Sequence, residues 1–314
     1  MLDVSTVESD SFRFTGIDVK KTETGIEISM EDYAQSLEDI NIREAKADEE
    51  LTREELKIFR KYVGKLNWLA TNTRPDLAIY ALDLAKKQKK AVIKDLREIN
   101  RILKKVREKE SKVVFSRIGR KEDLCVLGIS DASYHCSDRS VAGEMILLGN
   151  LGSDEAVPIY WRSGVIRKVC ISPKAAETRA LLRVTDDSVH MARQISELLN
   201  TRIEVKMFTD SRPLLESIGS SGQIEEKALR QSVACLKQAL EDEEVKDYAW
   251  IQGEEIVADV LTKQGSTREA LDEIIKKNKF RNAHSQDNRV TFEGNEFKIR
   301  NRTTKKDKKE EDEE

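Results

Sequence analysis

The chain has 314 residues, of which 36% are charged and 39% hydrophobic, and its formal net charge is −3. That balance is globular and the length suffices for two domains, each burying its own core. No apolar run approaches the roughly 18 residues of a membrane span and the N-terminus has no basic-then-apolar signal, so the protein is expected inside the cell with no membrane partner.

Ser11-Phe12-Arg13-Phe14-Thr15-Gly16-Ile17-Asp18-Val19 and Gly25-Ile26-Glu27-Ile28-Ser29 alternate with period two across a Thr/Glu/Gly turn, which predicts a hairpin. A helical stretch follows from Glu31 to Ile40. Thr52 and Glu55 form a capping-box start for the next helix, and Pro75 in Thr73-Arg74-Pro75-Asp76 allows a further one to open. From Ala81 to Glu110 the pattern is helical and basic, with Ile93, Leu96, Ile99 and Leu103 on one face and a row of cations including Lys94 and Arg101 on the other. Such a helix is either an ordinary solvated amphipathic helix or one that follows a nucleic-acid backbone, where neutralised phosphates release counterions. The net charge does not decide between them, because it sums this basic middle with an acidic end, Glu310-Glu311-Asp312-Glu313-Glu314.

Gly119-Arg120-Lys121-Glu122-Asp123 is a polar break and a domain boundary. Beyond it Leu124-Cys125-Val126-Leu127-Gly128-Ile129-Ser130-Asp131 reads as a buried strand that ends on a carboxylate. Val141 to Gly149 and Val157 to Arg162 read as two more strands, Pro158 marking an edge or a strand start. A long helix from Pro173 to Asn200 carries Glu177 one turn before Leu181 on its apolar face. The strand from Arg202 to Thr209 ends on Asp210. Asp259 lies in the last helical pattern, and residues 281–314 are poor in apolar residues and read as a disordered tail. Cys125, Cys136, Cys170 and Cys235 form no C-x-x-C pair and are expected as thiols, Cys125 and Cys170 buried.

Four acids thus stand at element boundaries in the order Asp131, Glu177, Asp210, Asp259. The segments Ile129-Ser130-Asp131-Ala132-Ser133, Ser172-Pro173-Lys174-Ala175-Ala176-Glu177-Thr178, Phe208-Thr209-Asp210-Ser211 and Ala258-Asp259-Val260-Leu261-Thr262-Lys263 resemble, in the same order, the ribonuclease H domain of copia-type LTR retrotransposon polyproteins. The hairpin near the N-terminus and Tyr62-Val63-Gly64-Lys65-Leu66 with Thr73-Arg74-Pro75-Asp76 resemble the end of the reverse transcriptase of that family. Departures are Thr178 where the family commonly has Tyr, and Ala175 in place of an acid.

The resemblance implies a mixed α+β fold: a ribonuclease H-like five-stranded mixed sheet flanked by helices over residues 122–265, preceded by a mainly helical thumb and connection remnant over 1–118 and followed by a charged tail over 266–314. It also implies hydrolysis of the RNA strand of RNA/DNA hybrids with two Mg²⁺ ions, or Mn²⁺ in their place. Asp131 would bridge both ions, Glu177 and Asp210 would hold the one near the leaving group, and Asp259 the one near the nucleophile. Two unit charges ~5 Å apart repel by roughly 3 kcal/mol at an effective dielectric of ~20, so converging carboxylates need cations. No Lys or Arg sits regularly beside these acids in sequence, which favours divalent metal, and oxygen ligands favour Mg²⁺ or Mn²⁺. Candidate contacts to nucleic acid are Ser133, Trp161, Arg162, Ser211, Lys227, Arg230, Lys94 and Arg101. Further partners implied are an upstream polymerase portion or another copy of the polyprotein, with a cytoplasmic virus-like particle or the nucleus as location. In that family the polymerase metal site lies upstream of the hairpin, and Asp186-Asp187 falls in a helical pattern, so no polymerase activity is expected of this chain alone. The alternative is a module that binds nucleic acid or a polymerase without catalysis.

Overall fold

A computed structural model describes residues 10–135, 139–222, 224, 226–281 and 288–300. The chain forms two compact units, Met1–Arg117 and Ile118–Glu314. Among the described residues no helix is long and apolar enough to cross a membrane.

In the first unit, strands β1 (Ser11–Phe14), β2 (Ile17–Lys21) and β3 (Gly25–Ser29) are joined by β4 (Lys112–Ser116) into an antiparallel sheet of four. The expected single strand over Ser11 to Val19 is divided, because Thr15 and Gly16 take φ of 49° and 87° and turn the chain back. Positive φ at both central positions is what a tight two-residue hairpin requires, and glycine meets it without strain. The helices are α1 (Glu31–Gln35), α2 (Arg53–Asn72), α3 (Ala78–Lys86) and α4 (Ile93–Glu108). The Thr52/Glu55 capping box is present: the Glu55 N–H donates to Thr52 Oγ1 at 3.3 Å and the Thr52 N–H to Glu55 Oε2 at 2.8 Å. The basic stretch from Ala81 to Glu110 is two helices rather than one. Asp95 starts the second by accepting from the Val92 N–H at 2.9 Å and from Lys87 at 2.8 Å.

Arg74 ties this unit together. Its guanidinium, 2% exposed, donates to both Asp76 carboxylate oxygens at 2.9 and 3.0 Å and to the carbonyls of Val106 and Lys109 at 3.1 Å each. It thereby fixes the turn before α3 to the end of α4. Phe59, Leu66, Leu69, Leu96 and Leu103 fill the core between the helices.

The second unit is built on β5 (Leu124–Ser133), β6 (Val141–Asn150) and β7 (Ala156–Val165), a meander of antiparallel neighbours. Helix α5 (Pro173–Leu199) returns the chain to β8 (Glu204–Thr209), which runs parallel to β5. After α6 (Arg212–Gly219) and α7 (Arg230–Glu241) comes β9 (Asp247–Trp250), parallel to β8. Pro158 lies on β7, the edge strand, beside a register shift in the β6–β7 ladder, as a residue without an N–H requires. Leu181, Val184 and Ser188 of α5 are buried against the sheet.

These five strands are the mixed sheet flanked by helices that the ribonuclease H resemblance implies, and the fold is mixed α+β. Two expectations are corrected. After α8 (Glu269–Lys277), β10 (Arg289–Glu293) pairs with β9 and β11 (Glu296–Arg300) with β10, so the sheet has seven strands in the order β11-β10-β9-β8-β5-β6-β7. Residues 266–281 and 288–300 therefore carry structure where a tail was expected. The reason is a small but sufficient set of contacts: Val290 is fully buried, Phe292 and Phe297 pack with ring centroids 5.0 Å apart, and Arg289 pairs with the buried Asp247 at 3.1 Å. Residues 301–314, the rest of that tail, lie outside the described residues.

Replacing Arg74 by Met removes the buried guanidinium that Asp76 and the carbonyls of Val106 and Lys109 share. Breaking such a buried pair lowers the opening free energy of α2 and α4 by roughly 3 kcal/mol. Native-state hydrogen exchange measures it, and the amides of β5 and β8 serve as the unchanged reference.

Candidate active site

The register of the sheet brings the first two acids together. In the parallel β5–β8 pair Ile129 stands opposite Phe208, so continuing two residues along both strands sets Asp131 opposite Asp210, one interstrand spacing of about 4.8 Å away. Helix α5 supplies the third. Ser172 caps it by accepting from the Ala175 N–H at 3.1 Å, and one turn in, Glu177 reaches the end of β5, where Oε1 accepts the Ala132 N–H at 3.2 Å. Carboxylate oxygens of Asp131, Glu177 and Asp210 all lie within 4.8 Å of one another. Asp131 is 1% exposed and the other two are half-buried.

Asp259 arrives differently, on a short 3-10 turn, Val257–Leu261, rather than on a regular helix. That turn lies against β6 at Gly143, the residue paired with Asp131. A Cβ at Gly143 would stand 2.7 Å from the Ala258 carbonyl oxygen and 2.8 Å from Thr262 Cγ2. Only glycine allows the turn to approach this closely. Ser163 Oγ holds it from the next strand by donating to the Leu261 carbonyl at 2.5 Å.

Two residues following Asp259 were not anticipated as part of the site. The Thr262 hydroxyl donates to Asp131 Oδ2. Lys263 donates to Asp259 Oδ1, and its Nζ lies 3.7 Å from Asp131 Oδ2. The absence of Lys or Arg placed regularly beside the acids in sequence favours metal alone as their counter-charge, yet one ammonium, Lys263, lies between Asp131 and Asp259. Its signal in the sequence was the four-residue step from Asp259 to Lys263, which brings two side chains together over one helical turn. Trp250, also missed, donates its indole N–H to the Asp210 carbonyl at 3.0 Å, and the Arg212 guanidinium lies 4.0 Å from its ring centroid.

Crowding and burial determine the protonation of these groups. Burial, then the charges of Asp131 and Asp210, push Glu177 up to about 9. Burial and then Asp131 raise Asp210 to about 6. Asp131 is raised by burial against the opposing pull of Lys263 and Thr262. Burial works to lower Lys263, but the carboxylates of Asp131 and Asp259 outweigh it and the ammonium is raised. Glu177 Oε2 is buried without a hydrogen-bond partner. An orphaned carboxylate oxygen inside an all-oxygen cluster fits a hard divalent cation, which would supply the missing partner and cancel the repulsion.

The expected nucleic-acid contacts differ in exposure. Ser133 and Ser211 are half-buried beside Asp131 and Asp210 in sequence, while Arg162, Lys227 and Arg230 are exposed. Arg230 donates to the Ile224 carbonyl at 2.9 Å. Trp161, on β7 opposite Met145, is buried at 9% exposure. Lys94 and Arg101 are exposed on α4 in the first unit, Arg101 paired with Glu98 at 2.5 Å.

No family model and no curated protein matches the sequence. Among solved structures the chain is similar to the N-terminal RNase H domain of a Mycobacterium tuberculosis protein, with 14% identity and a TM-score of 0.35, covering 49% of this chain and 98% of that one. It is similar to LC11-RNase H1 in complex with an RNA/DNA hybrid, with 16% identity and a TM-score of 0.34, over 45% of this chain and 96% of that one. The prototype foamy virus protease-reverse transcriptase is 13% identical with a TM-score of 0.29, covering 79% of this chain and 38% of that one.

With a chelator present the site carries a definite pH dependence. Glu177 titrates near 9 when folded and near ~4.3 when unfolded. The folded state holds the proton more tightly, so stability is greatest below the unfolded value and falls as pH rises toward 9. Glu177→Gln removes that loss, so the variant gains on wild type between pH 5 and pH 8. Urea unfolding of both proteins in chelator at pH 5 and pH 8 measures this.

Proposed function

We propose that the chain is a metal-dependent ribonuclease H that hydrolyses the RNA strand of RNA/DNA hybrids, derived from a copia-type retrotransposon polyprotein. The observation that carries this reading is the convergence of Asp131, Glu177 and Asp210 from a strand, a helix and a neighbouring strand end, their oxygens within 4.8 Å. Three acids held so close, with a buried oxygen left unpartnered on Glu177, are costly unless a cation is the intended occupant. The collinear order with Asp259 and the specific Ala258-Asp259-Val260-Leu261-Thr262-Lys263 block support the family.

Asp131, Glu177 and Asp210 would hold Mg²⁺ or Mn²⁺, with Asp259 completing the set on the far side of Asp131. Two such ions supply an activated water and a stabilised leaving oxygen for in-line displacement at a phosphodiester. The protein's part is orientation. The Ala132 N–H fixes Glu177, Trp250 fixes the backbone of Asp210, and Thr262 fixes Asp131. Groups of this kind, one step behind the ligands, keep the acids in a single geometry. Ser133, Arg162, Ser211, Lys227 and Arg230, all in the second unit, are the proposed contacts to the hybrid. Selection of the RNA strand would rest on its 2′-hydroxyls in the minor groove. Lys94 and Arg101 of the first unit would add affinity through phosphates. The upstream polymerase portion or another copy is the proposed protein partner, and the site of action is intracellular.

An end-labelled RNA/DNA hybrid incubated in Mg²⁺ and in Mn²⁺ is expected to be cut in its RNA strand alone, with a DNA duplex left intact. Asp131→Asn should lower the rate by more than the roughly 10–100-fold that losing a group behind a ligand causes. A wild-type chain that binds the hybrid but cuts in neither metal overturns the nuclease reading in favour of a binding module.

A further inference from the structure

The four acids do not share one environment. Three form the close cluster, whereas Asp259 stands outside it and is held by Lys263. The same ammonium lies 3.7 Å from Asp131 Oδ2, the oxygen that also takes the Thr262 hydroxyl. We infer that Lys263 is the resident counter-cation of the Asp131–Asp259 side and competes there with a second divalent ion, so that the free chain takes one ion, at Asp131, Glu177 and Asp210. This rests on the metal-dependent reading of the site.

The geometry makes the two cations mutually exclusive. A divalent ion on that side would draw on the same two carboxylates, Asp131 and Asp259, that the ammonium already engages, and two cations between them would repel. Lysine suits a displaceable role. Its charge is a compact point on a four-carbon stem without the fixed fork of arginine, and its side chain is 48% exposed, so it has room to leave. Residence is nevertheless favoured, since Lys263 follows Asp259 by four residues on a turn fixed at Gly143 and Ser163. Once Lys263 leaves, an anionic phosphate entering the site is a natural partner for the freed ammonium. Occupancy of the second position is then tied to arrival of nucleic acid rather than to metal concentration alone.

The test is a Mn²⁺ titration of the full chain without nucleic acid, with free ion read by electron paramagnetic resonance, for wild type, Lys263→Met and Lys263→Arg. Wild type and Lys263→Arg should bind one ion per chain. Lys263→Met should bind a second ion at least about tenfold more tightly than wild type does, as expected when a fixed positive charge leaves a carboxylate site. Circular dichroism melts of both variants check that the fold is retained, and the charge-retaining variant separates loss of the ammonium from damage to the turn. Identical binding curves for Lys263→Met and wild type, with the first ion bound in both, overturn the competition and leave the nuclease reading standing. No bound ion in any of the three proteins overturns the metal-dependent reading itself.

Discussion

Everything around the candidate site follows from the need to hold like charges together at the buried end of β5. Asp131 is almost sealed from solvent, and a carboxylate there is tolerated only with donors or cations around it. The Thr262 hydroxyl and the Lys263 ammonium meet part of that need. Both reach Asp131 only because the turn bearing them lies flat on β6, and it does so only because Gly143 has no side chain. One glycine, one parallel register and one helix cap thus place the acids, which are far apart in sequence. The seven-stranded sheet supplies the rigidity, since β5 and β8 are interior strands with neighbours on both sides.

Much of this was legible in the sequence, for physical reasons that also mark where legibility ends. Strands β5, β6 and β8 are long apolar or alternating runs, and α5 is a long helix opened by Ser172 and Pro173, so their acids could be placed on element ends. The features that were missed depend on few residues or on contacts across the chain. Thr15 and Gly16 divide an alternating pattern that is uniform in hydrophobicity. The β10–β11 hairpin is short and highly charged, yet Gly294-Asn295 between the strands, with φ of 62° and 63°, carries the turn chemistry that should have revealed it. The alternation of β7 turns Trp161 and Arg162 to opposite faces, a difference in exposure that their adjacency in sequence does not show. Lys263 was passed over because attention to composition near each acid looked for repeated cations, and a single one at the right step suffices.

The cationic face of α4 shows why counting basic residues overstates an interface. Arg97 donates to the Ala45 carbonyl, Arg101 pairs with Glu98, and Arg107 with Asp39. These contacts reduce the local field that a run of lysines suggests on paper. The pairs of Arg101 and Arg107 are exposed, however, and such pairs contribute only ~0–1 kcal/mol each. A phosphate backbone with its condensed counterions competes well against them. The sequence pattern and the paired structure are therefore compatible, with Lys94 exposed on the outer face of the helix.

The electrostatic asymmetry of the site is its most informative property. On one side Glu177 and Asp210 have their acidities weakened by burial and by neighbouring charge, and the cation that opposes this among the described residues is the more distant Lys263. On the other, Asp259 shares that ammonium with Asp131. If the cluster were only a structural network, the cation would be expected where repulsion is greatest, among the three close carboxylates. It lies instead toward the fourth, more exposed acid. The ammonium thus pairs with Asp131 alone among the three close carboxylates, and burial with mutual repulsion leaves Glu177 and Asp210 to hold their protons more tightly than free carboxyls do.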